Sequence, residues 1–127
     1  MSAQNLIVIH YPKCSTCRRA LAWLREHGVA FEARDITLER PTLAELARWH
    51  KASGLPIRRF FNTSGVLYRE LGVKAKLDAG MTDEECHELL ATDGKLVKRP
   101  VVVGKRPDGS ELVLLGFREQ EWEENLL

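Results

Sequence analysis

Cys14 and Cys17, separated by two residues, sit in the stretch His10-Tyr11-Pro12-Lys13-Cys14-Ser15-Thr16-Cys17-Arg18-Arg19. A thiolate is the nucleophilic form of cysteine, so reactivity is decided by what lowers the thiol pKa. The apolar run Leu6-Ile7-Val8-Ile9 leads into the pair. Ala20, Leu21, Trp23 and Leu24 follow it at helical spacing, ending at Gly28. The cysteines therefore fall where a strand ends and a helix begins. Unpaired N–H groups and the positive end of the helix dipole favour a thiolate there. Lys13, Arg18 and Arg19 add cationic charge. The pair reads as built to make a thiolate nucleophile.

Other readings of the same residues compete with this one. A zinc site needs two more ligands, and the chain has no second cysteine pair. Cys86 and His87 are adjacent, which on a helix points them about 100° apart. Cys86 is expected to be a core cysteine. His10, at the strand end, either tunes the thiol or simply packs. Asn62 either binds an anion or caps a turn. Arg58 and Arg59 read as a solvated helix face, and Trp23, Trp49 and Trp122 as core or interface anchors.

The elements that must hold the pair follow from patterning. The first strand is expected over 6–10, a helix over 15–27 and a second strand over 29–36, making a β-α-β opening. Thr42-Leu43-Ala44-Glu45 and Thr82-Asp83-Glu84-Glu85 are capping boxes opening helices that run to Gly54 and to about Ala91. Ile57–Phe61 reads as a short helical turn, and Ser64 as the cap of a helix over 65–71. Strands return over 101–103 and 112–115, joined through Arg106-Pro107-Asp108-Gly109-Ser110. A last helix spans about 118–126, with Trp122 and Leu126 facing the core. The pattern is α/β: β-α-β, a helical block over about 41–94, then β-β-α. A Cys-x-x-Cys at the first strand-to-helix junction of such a unit is the thioredoxin-like arrangement.

At 127 residues the chain suits one domain, with a thioredoxin-like core over about 1–40 and 95–127. Its net charge of +1 gives no global attraction to nucleic acid or an acidic membrane. No apolar run approaches the ~20 residues of a membrane helix. Three cysteines are too few for a disulfide scaffold, and the N-terminus lacks a signal-peptide pattern, so a reducing cytoplasm is the expected setting.

Tyr11-Pro12-Lys13-Cys14-Ser15-Thr16-Cys17-Arg18, Lys98-Arg99-Pro100-Val101-Val102-Val103, Phe61-Asn62-Thr63-Ser64-Gly65, Tyr68-Arg69-Glu70-Leu71-Gly72 and Gly116-Phe117 together resemble the arsenate reductase (ArsC)/Spx family of the thioredoxin-like superfamily. The likeness runs nearly end to end and is greatest to small bacterial ArsC-like proteins that keep a Cys-x-x-Cys. It implies a four-stranded mixed sheet with a helical insertion between strands 2 and 3. It also implies Cys14 as the attacking thiol on a disulfide or an oxyanion such as arsenate, Cys17 as resolver, and Arg18 and Arg99 as anion holders. Pro100, in a cis Arg-Pro, would wall the site. Glutathione or glutaredoxin would be the external reductant, with no bound cofactor. Spx-type members instead bind the C-terminal domain of the RNA polymerase α subunit and read redox state through the disulfide.

The chain departs from the arsenate enzymes at three places. It has Asn62 and Gly116-Phe117 where they carry arginines, and Cys17 where they usually carry serine. Each lost charge-assisted contact is worth roughly 1.5–3 kcal/mol. Oxyanion binding is therefore expected to be weak and thiol–disulfide chemistry favoured.

Overall fold

The computed structural model describes residues 2–127 as two compact units, one formed by 2–35 with 99–127 and the other by 36–98. The first unit carries a four-stranded sheet in the order β2-β1-β3-β4, built from β1 (Gln4–His10), β2 (Glu32–Asp35), β3 (Val101–Lys105) and β4 (Glu111–Leu115). β1 runs parallel to β2 and antiparallel to β3, and β3 is antiparallel to β4. The sheet is thus mixed, and the fold is the α/β thioredoxin-like one. Central strands are covered on both faces, which explains their unbroken apolar sequences. Val8 and Ile9 in β1, and Val101 and Val102 in β3, are fully buried.

Helix α1 (Ser15–Glu26) buries Cys17, Ala20, Leu21 and Leu24, an i, i+3, i+4, i+7 stripe, together with Trp23. Its core partners include Leu6, Val8, Val102, Leu112, Leu114 and, from α6 (Glu119–Leu126), Trp122 and Leu126. The α1 terminus explains why β2 is shorter than its sequence suggests. Gly28 turns left-handed (φ 67°), and the N–H groups of Gly28 and Val29 donate to the carbonyls of Arg25 and Leu24. Val29 therefore belongs to the helix cap, not to the strand. β1 starts earlier than expected because Asn5 (φ 56°) forms an irregularity opposite Gly104, whose missing side chain leaves room for the Leu6 side chain and the Gln4 carbonyl.

In the second unit both capping boxes form as read. Thr42 Oγ1 accepts from the Glu45 N–H at 3.1 Å and opens α2 (Leu43–Ser53); Thr82 does the same for Glu85 at 3.1 Å and opens α5 (Asp83–Leu90). Ser64 is not a cap. Gly65 precedes α3 (Val66–Glu70), and the Ser64 hydroxyl donates instead to Asn62 Oδ1. A further helix, α4 (Val73–Asp78), escaped the sequence reading because Gly72 both ends α3 and starts α4, with no capping side chain to mark it. Lys74 pairs with Asp78 across one turn of α4, and Arg58 reaches the same carboxylate at 2.7 Å. Both are exposed pairs of small energetic weight. Ile57–Phe60 and Gly94–Leu96 form 3-10 turns, and Phe61 bridges Val97 in an antiparallel contact that the helical reading did not foresee. Cys86 lies fully buried here, as does Phe60.

α2 and α5 are also joined by a histidine pair, His50 Nδ1 to His87 Nε2 at 3.0 Å. One nitrogen must donate and the other accept, so the pair cannot hold a proton on all four nitrogens. Burial, then the charge of His50, lowers the His87 pKa below 6.5, against opposing pulls from Asp83 and Glu84. A histidine with a depressed folded pKa takes its proton first in the unfolded chain. Its contribution is complete above the unfolded pKa of about 6.5 and is lost as the pH falls through and below it. Urea midpoints measured at pH 7.5 and 5.0 should therefore drop for the wild type and drop less for His87→Gln. An equal drop in both would show that the pair carries no pH dependence.

Candidate active site

The site residues of the first unit come from three places: the end of β1, the turn into α1, and the residues just before β3. Tyr11, Pro12, Lys13 and Cys14 form a turn closed by the Cys14 N–H donating to the Tyr11 carbonyl at 2.9 Å. Pro12 occupies the second position, where its fixed φ is pre-set for a turn. The turn delivers Cys14 to the N-cap position of α1 (φ −91°, ψ 121°), half-buried, with Ser15 as the first helical residue. Three residues on, Cys17 is the first member of the buried stripe, and its sulfur accepts a hydrogen bond from the Tyr11 N–H at 3.4 Å. Both cysteines are free thiols.

The two environments pull the thiols apart. Partial burial opposes ionisation of Cys14. The N–H of Cys17, the Cys17 thiol, the N–H of Thr16 and the positive charge of Arg99 outweigh it, and the Cys14 pKa falls below the ordinary thiol value. Hydrogen-bond donors and a nearby cation favour the thiolate, the species they stabilise. Cys17 goes the other way. Burial pushes its pKa up to about 12, reinforced by the neighbouring Cys14 charge and only partly offset by the Tyr11 N–H. The pair is thus divided into a lower-pKa thiol, Cys14, and a higher-pKa one, Cys17, which donates a hydrogen bond to the Cys14 sulfur.

Arg99 is brought to this site by strand pairing: Ile9 pairs with Val101 across β1 and β3, and Tyr11 and Arg99 each lie two residues beyond that pair. The Arg99 guanidinium lies over the Tyr11 ring, 4.8 Å from its centroid. The Arg99–Pro100 peptide is cis, Pro100 is buried, and its carbonyl accepts from the Gly116 N–H at 2.8 Å.

The remaining expected residues are placed less directly. Arg18 is exposed, with its guanidinium directed at the Pro12 carbonyl at 3.4 Å, so the cation acting on Cys14 is Arg99. Lys13 is exposed at the turn. His10 is half-buried; its Nδ1 is buried without a hydrogen-bond partner, and burial, against the pull of Asp35, lowers its pKa. Asn62 belongs to the second unit and holds a turn there. Its N–H donates to Leu96 O at 2.8 Å, its carbonyl accepts from the Gly65 N–H, and its side chain takes the Ser64 hydroxyl. Cys86 is buried, and that burial pushes its thiol pKa up. Among the described residues no group of three or more His, Cys, Asp or Glu side chains could hold a metal ion, and no helix is long and apolar enough to cross a membrane. Tyr11, which touches both cysteines and Arg99, was not singled out from the sequence. Its proximity to Cys14 was visible there; its contact with Arg99 was not.

A cysteine at the N-cap of the first helix, a second cysteine one turn on and a cis-proline just before β3 define a thioredoxin-like thiol protein. Residues 9–125 match the ArsC family, and the chain belongs to it. It is 48% identical to the protein YusI of Bacillus subtilis (strain 168) over 121 residues, covering 95% of this chain and 98% of that one. It is 31% identical both to the regulatory protein MgsR of the same organism (87% and 82% covered) and to an arsenate reductase of Rhizobium meliloti (strain 1021; 85% and 74% covered). The crystal structure of an ArsC family related protein from Bacteroides fragilis superposes with a TM-score of 0.87 at 48% identity, over 97% of this chain and 98% of that one.

Proposed function

We propose that this protein is a thiol-dependent oxidoreductase in which Cys14 attacks and Cys17 resolves. Likeness alone does not choose between an enzyme and a regulator, since the chain is equally similar to an arsenate reductase and to a regulatory protein. The observation that carries the reading is the division of labour between the two thiols, one depressed and accessible, the other buried and raised to about 12. A pair built this way releases its second nucleophile only after the first has reacted.

The Cys14 thiolate attacks one sulfur of a substrate disulfide and expels the other half as a thiolate, leaving a Cys14 mixed disulfide. With the Cys14 charge gone, the Cys17 thiol no longer faces an anion and loses its proton more easily. It attacks the Cys14 sulfur, the second half departs as a thiolate, and the Cys14–Cys17 disulfide remains. Two electrons have passed to the substrate. Glutathione or glutaredoxin returns them from outside. Arg99 holds negative charge at the reacting sulfur, assisted by the N–H groups of Thr16 and Cys17. An oxyanion such as arsenate fits the same sequence: Cys14 bonds the pentavalent centre with loss of water, and attack by Cys17 on the Cys14 sulfur expels the two-electron-reduced arsenite. With Arg18 turned to Pro12 O, disulfides suit this site better than a doubly charged oxyanion.

Cys17→Ala tests the order of events. With a glutathione mixed disulfide as substrate, the variant should stop at one turnover and accumulate a glutathionyl adduct on Cys14, seen by intact mass and peptide mapping. Wild type should accumulate no adduct and form the intramolecular disulfide. Undiminished turnover by the variant, or an adduct elsewhere than Cys14, would overturn the assignment. Parallel assays with arsenate and with glutaredoxin distinguish the substrate and the reductant.

A further inference from the structure

We propose that Tyr11 is a positioning residue, its ring fixing the Arg99 guanidinium within electrostatic reach of the Cys14 sulfur; the inference rests on the reading of Cys14 as nucleophile. Arg99 has a long, flexible side chain, and a charge helps a thiolate only if it stays near it. Arginine and lysine side chains carry about 2 kcal/mol of rotamer entropy, so something must hold the guanidinium in place. The ring of Tyr11 lies under it at 4.8 Å, within the range of an attractive cation–ring contact. Both residues leave the same end of a paired strand couple, since β1 and β3 pair as far as Ile9 and Val101, so their backbones lie close before the side chains meet.

Tyr11 holds the rest of the site through its main chain. Its carbonyl takes the Cys14 N–H and its N–H reaches the Cys17 sulfur. These two bonds do not depend on the side chain. Substituting the side chain therefore isolates the ring's effect on Arg99 from the placement of the cysteines. Arg99 is among the groups that favour the Cys14 thiolate, so loosening it should be read directly in Cys14 ionisation.

The experiment follows iodoacetamide alkylation of Cys14 against pH in the full chain, with the modified residue identified by peptide mapping. Tyr11→Leu should move the profile to higher pH and slow alkylation below the wild-type pKa by about three- to tenfold, as expected when a nearby opposite charge is lost. Tyr11→Phe, which keeps the ring, should retain the wild-type profile. Arg99→Leu should reproduce the shift of Tyr11→Leu, and the double variant should shift no further. Should Tyr11→Leu not fold, Tyr11→Met supplies the ring-free side chain, with far-UV circular dichroism as the check. A depressed wild-type pKa unmoved by loss of the ring, or a full additional shift in the Arg99→Leu background, overturns the inference alone. A wild-type Cys14 with the profile of an ordinary thiol overturns the nucleophile reading and this inference with it.

Discussion

Cys14→Ser is expected to abolish turnover, by on the order of 10³-fold or more, because an alcohol at this position is neither ionised nor able to form the disulfide. Nothing else in the site can take over. Cys17 is buried with its pKa pushed up to about 12, and Cys86 is buried within the other unit. The loss should fall on kcat, with little change in stability, since Cys14 is half-buried at a helix N-cap and serine is itself a favoured cap. Steady-state turnover of a glutathione mixed disulfide, with urea unfolding of the same samples, measures both. Residual turnover above a few per cent would mean that another group attacks. The variant should also release Cys17 from the anion beside it, so the Cys17 pKa should fall from its wild-type position, although burial keeps it high.

Trp122→Ala is expected to give the largest loss of stability, about 3–5 kcal/mol. The ring is fully buried on α6 and packs edge-on against Trp23 at 5.8 Å and Phe117 at 4.8 Å. Its indole N–H donates to the Gly116 carbonyl at 3.1 Å. Removing the ring leaves both a cavity and an unsatisfied carbonyl. The thermal midpoint should drop on the order of 10–20 °C for a domain of this size. Trp122→Phe keeps most of the volume and loses the hydrogen bond, so its cost should be about 1–3 kcal/mol. Equal costs for the two variants would show that the bond, not the packing, dominates. The effect reaches the site by a short path, because the Gly116 N–H in turn bonds the Pro100 carbonyl. Cys14 alkylation in the Ala variant should therefore be less uniform even below its melting temperature.

These two residues differ in how they are read. Trp122 was legible as a core residue from its spacing with Leu126 on a short amphipathic helix. So were the Thr42 and Thr82 capping boxes, whose donors and acceptors are all within four residues. Local chemistry of that kind is complete in the sequence. Where elements end against one another it is less so. Val29 has strand character but its N–H is used by the α1 cap, and α4 has no capping residue to announce it. Cys17 lies between the two cases. Positions 17, 20, 21 and 24 share one helix face, so its burial could have been inferred by extending the apolar stripe one turn toward the N-terminus.

By itself the sequence determined the order β-α-β, helical block, β-β-α, and put Cys14 at a strand-to-helix junction. Both follow from periodicity and local hydrogen bonding. The different environments of Cys14, half-buried at a helix N-cap, and Cys17, fully buried, came only with the tertiary structure. Only folding brought the charge of Arg99, rather than that of Lys13, Arg18 or Arg19 nearer in sequence, to favour the Cys14 thiolate, and laid its guanidinium over the Tyr11 ring. That choice follows from the pairing of β1 with β3, segments some ninety residues apart, and no local pattern encodes which strands pair.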